Sequence, residues 1–152
     1  MADCCHQAAW DGEVTGFHDR SSLGDVAGVV AVGELVGNAV DQAHASAYHW
    51  LPVGAPENFA RSHWLCSRVY CVLGRAEPAL YHARLVLEIC ERHGIGDWDL
   101  AYAYEALARA HAVAGDRDEA GRWLERARLA SADVTEDDDR DLLLGDLETV
   151  PI

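Results

Sequence analysis

The chain has 152 residues, half of them hydrophobic, enough for about one domain with a proper core rather than a disordered segment. Its formal net charge of −14 argues against nucleic acid, whose phosphates need clustered cations, and disfavours anionic membrane surfaces for the same reason. All twelve basic residues are arginine, which removes lysine Schiff bases and P-loop lysine chemistry; with the abundant Ala, Gly, Asp and Val, it suggests a bacterial genome rich in G and C.

Residues 1–22 show no sustained period and are expected to form a loosely ordered arm, leaving residues 23–152 as a single helical domain. The start, MADCCHQ, is acidic and polar, unlike a secretory leader. The apolar stretch from Val26 to Val40 is interrupted by Glu34 and Asn38 and is too short to span a bilayer. A cytoplasmic protein is therefore expected. Five cysteines is an odd number with no standard zinc spacing, so Cys66 and Cys71 read as small buried hydrophobes on different helix faces, and Cys4-Cys5-His6 as incidental thiols.

A first helix is predicted from about Leu23 to Leu51, with Val29, Val32, Val36, Ala39, Val40, Ala43, Ala47 and Trp50 on one face. Gly33 and Gly37 share a face, where another helix could come close. A second helix begins at Pro56-Glu57, which suits a first turn, and stops near Gly74. A third runs from about Glu77-Pro78 to Gly94. Asp97 is expected to cap a fourth, ending at Gly115; Asp116 caps a fifth, ending near Ala132; Thr135 caps a short last helix carrying Leu142, Leu143, Leu144 and Leu147. No run reads as a strand.

The segment Leu73-Gly74-Arg75-Ala76-Glu77-Pro78-Ala79 recurs forty-one residues later as Ala114-Gly115-Asp116-Arg117-Asp118-Glu119-Ala120. Tyr70 aligns with His111, Ala83 with Leu124 and Val86 with Ala127. A helical hairpin copied in tandem marks a repeat stack. Ser67, Tyr70, Gly74 and Ala79 in one copy, and Leu107, Ala108, Gly115, Ala120, Leu124 and Ala127 in the other, resemble tetratricopeptide repeats. That resemblance implies an all-α fold of antiparallel helical hairpins in a short right-handed array, with the first and last helices closing its ends. It also implies a non-enzymatic binding module with a concave face lined by the leading helix of each hairpin. The family's peptide-carboxylate clamp relies on lysine and asparagine, so that activity is not implied.

Two constellations stand out. Carrying the family's groove positions across gives Arg61, Trp64 and Arg68 on the second helix, with Tyr102, Glu105 and Arg109 on the fourth; spacings of i, i+3 and i+7 put each set on one face. Arginine forks bind carboxylates and the aromatics add flat apolar contact, so the expected partner is an acidic peptide or protein. The bland alternative is that these arginines pair with Glu105 and nearby acids. The second constellation is Asp41, His44 and Tyr48 on the first helix, joined by His63, His82 and Glu105 in a ligand or metal pocket between that helix and the repeats. No cofactor is predicted under the first reading; a metal ion, or an enzyme as a sub-case, belongs to the second. The acidic stretch from Asp133 to Asp141 reads as a solvated helix start, or as a mask over the arginine groove.

Overall fold

The computed structural model describes residues 26–50 and 54–152, with side chains of the first helix described from residue 37 onward. The expected N-terminal arm lies outside the described residues. Among the described residues six α-helices follow in order: α1 Val26–Trp50, α2 Pro56–Val72, α3 Ala76–His93, α4 Asp97–Val113, α5 Arg117–Ala130 and α6 Asp137–Glu148. A single turn of 3₁₀-helix, Ser131–Asp133, leads from α5 towards α6. Among the described residues there is no strand, and no helix is long and apolar enough to cross a membrane.

The two copies of the repeated segment build the same turn. Gly74 and Gly115 sit at φ +68° and +80°, a region that costs any residue with a Cβ. Arg75 N–H donates to the Tyr70 carbonyl at 2.9 Å and Gly74 N–H to that of Cys71 at 3.0 Å; Asp116 and Gly115 repeat this to His111 and Ala112, both at 3.0 Å. Paired bonds of this kind satisfy the last carbonyls of a helix and turn the chain back. Each turn thus joins two helices that pack on one another, α2 with α3 and α4 with α5.

Helix α4 lies at the centre and packs against α2, α3, α5 and α6. Its sequence explains this. Ala101, Ala103, Ala106, Ala108 and Ala110 are all buried, and short side chains let neighbours approach from several directions. Cys71, Ala79, Ala83 and Leu107 form the seam of α2, α3 and α4; Leu124, Ala127, Leu143, Leu147 and Val150 form that of α4, α5 and α6. Ser67 Oγ donates to the Ala79 carbonyl at 2.9 Å, pinning α2 to α3.

Helix α1 is described by its side chains over its second half alone. It packs on α2, where Ala39 and Ala43 are buried against Cys66 and Val69. Gly37 is exposed, with nothing within 4 Å of where its Cβ would stand among the described residues, while Gly33 lies outside the described side chains.

Two expected caps are also corrected. Asp97 is the first residue of α4, not its cap, at φ 54°. Its carboxylate instead accepts from Thr135 N–H at 3.0 Å and Thr135 Oγ at 2.8 Å. Thr135 is thereby spent on tying the start of α4 to the approach of α6, and Glu136 precedes α6 without a side-chain cap. Asp116 does cap α5, accepting from Glu119 N–H at 3.2 Å.

Candidate functional site

The arginines of α2 and α4 do converge, but on acids of the same chain. Glu105 is fully buried; its Oε1 accepts from Arg68 Nη1 at 2.8 Å and from Arg109 Nε at 2.6 Å. Trp64 Nε1 donates to Oε2 at 3.4 Å. Asp146, from α6, accepts from Arg68 Nη2 at 2.7 Å and from the Tyr102 hydroxyl at 3.2 Å. Arg109 Nη2 then donates to the Asp146 carbonyl at 2.9 Å and to Thr149 Oγ at 2.8 Å. A guanidinium on the last carbonyls of a helix also suits the negative end of its dipole. Two arginines and two carboxylates therefore balance in charge.

Burial opposes the charge on Arg68, but Glu105 and Asp146 outweigh it and raise its pKa further. Burial, with Asp146 and Glu105 alongside, drives the Tyr102 hydroxyl far above its ordinary value, so it stays a donor. Arg61 stands apart from this quartet. It grips Asp99 with two bonds of 2.9 Å and lies over the Trp98 ring at 4.6 Å. Among the described residues, every buried side-chain nitrogen and oxygen has a hydrogen-bond partner. The groove residues are therefore joined to Asp99, Asp146 and Thr149, which the periodicity of α2 and α4 could not reveal because two of them lie in or just past α6. It is Asp146, outside the acidic run of residues 133–141, that meets the arginines.

The second group gathers where α1, α2 and α3 meet. A ring nitrogen of His44, the thiol of Cys66 and a ring nitrogen of His82 all lie within 4.8 Å of one another. His44 comes from α1 and is exposed, whereas Cys66 on α2 and His82 on α3 are buried. His44 Nε2 is 2.9 Å from the Tyr70 hydroxyl, which fixes the ring. His63 Nδ1 is 3.0 Å from His82 Nδ1, and the two rings stack at 5.2 Å. Tyr70 also stacks with His82, at 5.8 Å.

Of the residues expected in this pocket, His44, His63 and His82 come together. Glu105 belongs to the arginine quartet instead. Asp41 and Tyr48 are exposed, the Tyr48 ring lying edge-on to His49. Cys66 and Tyr70 were not anticipated here, yet a signal existed: His63, Cys66 and Tyr70 follow i, i+3, i+7 and share a face of α2.

The electrostatics favour neutral ligands. Burial, then the proximity of His63 and His44, lowers the His82 pKa to about 4. His63 is lowered by burial and by His44. Burial pushes the Cys66 thiol up to about 12, so it is a thiol until something displaces its proton. Neutral imidazole and cysteine sulfur are ligands for zinc-like and softer ions. Bonds of about 2.0–2.3 Å to such an ion require ligand atoms roughly 3.5 Å apart, so side chains would close in by about 1 Å.

Comparison with protein-family models, with curated proteins and with solved structures returned no match.

Proposed function

We propose that this chain is a non-enzymatic helical protein that binds one zinc-like transition-metal ion through His44, Cys66 and His82. The observation that carries this reading is the meeting of three ligand atoms from three helices within 4.8 Å, two of the residues being buried. Tyr70 orients His44, and His63, outside the group of three, is hydrogen-bonded to His82. Binding converts the Cys66 thiol to a metal thiolate and releases one proton to solvent; the histidines enter neutral. A reduced thiol in this role fits the reducing compartment expected from the sequence.

The test is a Co²⁺ titration of reduced, tag-free, metal-stripped protein, read by thiolate-to-cobalt absorption, with elemental analysis after Zn²⁺ loading. One ion per chain is expected. Cys66→Ser abolishes the thiolate band, and Tyr70→Phe weakens affinity by about 10-fold. A wild-type chain without the band refutes the reading.

A second reading rests on Asp146. The hollow of Arg68, Tyr102 and Arg109 takes a carboxylate from α6, and an acidic peptide or protein partner carries the same chemistry. Under this reading the hairpins are tetratricopeptide-like units and α6 is the occupant a partner displaces. Asp146→Asn should then strengthen binding of an acidic helical peptide, and Arg68→Ala should weaken it. Unchanged affinity in both variants at low salt eliminates this mode.

A further inference from the structure

The three ligating residues come from three different helices. Cys66 and His82 belong to α2 and α3, which share a continuous apolar seam with α4. His44 belongs to α1, whose buried apolar residues among those described are Ala39 and Ala43. Polar contacts add to these, among them His44 with Tyr70 at 2.9 Å and Ser46 Oγ with Ser62 Oγ at 3.5 Å. An ion held by side chains of separate helices favours the state in which those helices are packed together.

We infer that the ion acts as a latch, joining α1 to the α2–α3 hairpin so that metal availability controls whether α1 is docked. The inference rests on the metal-binding reading above. An undocked α1 carries His44 away from Cys66 and His82. The complete ligand set therefore exists only in the docked form, and an ion that binds only that form pulls the equilibrium towards it. At a free-ion concentration 100 times Kd, the open population falls by about 100-fold. The effect is specific in direction: amides of α1 gain protection, while the α4–α5 hairpin, with no ligand in the group, does not change.

The experiment combines the Co²⁺ titration with amide hydrogen exchange of residues 37–50 in the full chain, metal-free and at saturating Zn²⁺. The wild type should show the thiolate band and slow α1 exchange by up to about 100-fold. His44→Ala removes an exposed ring, so it should fold; it retains Cys66 and His82 but loses the α1 protection. His49→Ala, an exposed histidine on the same helix, should keep it. A cobalt band with unchanged α1 exchange overturns the latch and leaves the site standing. Zn²⁺ protection that persists in His44→Ala also overturns the latch. A wild-type chain without the band overturns the site, and the latch with it.

Discussion

Glu105→Gln tests the arginine quartet most directly. Glu105 has no solvent exposure, and one of its oxygens serves both Arg68 and Arg109 at 2.8 and 2.6 Å. The amide keeps the shape and removes the charge, leaving two guanidinium groups against the single carboxylate of Asp146. At an effective dielectric of about 20, each lost pair at roughly 4 Å is worth about 4 kcal/mol in gross Coulomb energy. Relief of the desolvation of Glu105 returns part of this, and deletions of one partner from buried pairs cost about 3–5 kcal/mol. For a chain of this size each kcal/mol moves Tm by roughly 2–4 °C, so a fall of about 6–20 °C is expected. Urea and thermal unfolding followed by circular dichroism measure it. Glu119→Gln provides the contrast, since the Glu119–Arg122 pair at 2.8 Å is on the surface and should change stability by less than about 1 kcal/mol. A Glu105 variant that loses no more than the Glu119 variant would refute the reasoning, because the quartet would then behave as if solvated.

Other consequences follow from the turns and the histidines. Gly74→Ala and Gly115→Ala should each cost about 1–2 kcal/mol, because both glycines have positive φ and no neighbour within 4 Å to add a clash. Gly121→Ala should instead stabilise by about 0.5–1 kcal/mol, since Gly121 lies inside α5 and the added methyl meets nothing; the same sign in all three would contradict the turn assignment. In the metal-free protein, His82 has a folded pKa of about 4 against 6.5 unfolded, and His63 is shifted the same way. Between those values the unfolded chain binds more protons, so stability is complete above pH 6.5 and is lost as pH falls towards 4. At 1.36 kcal/mol per pH unit, His82 contributes at most about 3 kcal/mol to that loss. Urea midpoints taken across the window should show it in the wild type and a flatter profile in His82→Phe.

The helices were legible because their signals are local. Apolar periodicity, Pro56, and the glycines at 74, 94 and 115 lie within a few residues of the boundaries they set, and the observed boundaries of α2 to α6 differ by only a few positions. The caps of α4 and α6 were not legible, because Asp97 and Thr135 satisfy each other across thirty-eight residues. Which arginine meets which acid was hidden for the same reason. Helical spacing showed that Arg61, Trp64 and Arg68 share a face, but the position of α6, which brings Asp146 to Arg68, depends on Leu143 and Leu147 packing against α4 and α5. The histidine group was half visible. His44, His63 and His82 were candidates, whereas Cys66 had been read as filler; burial does push its thiol pKa up, and only its position beside His44 and His82 in the fold makes it a candidate ligand.

Charge adds a further argument for the cation. The chain has 26 acidic residues for 12 basic ones. Arg61, Arg68 and Arg109 are already bound to acids of the same chain, so the surplus field felt at a distance is negative. Such a field concentrates a dication around the molecule and repels an anionic peptide until contact is made. Two of its members are neutral before metal binds, since burial holds the His82 pKa down at about 4 and pushes the Cys66 thiol up to about 12. Any ionic-strength dependence of association then comes from the surrounding acids. Raising ionic strength from 0.01 to 0.1 M shortens the Debye length from about 30 to about 10 Å and should slow Co²⁺ association in stopped flow. Sodium perchlorate is the suitable salt, because its anion barely coordinates cobalt. An association rate that is flat or rising with salt would mean that the acidic surface does not guide the ion, and the link between net charge and metal binding would fall.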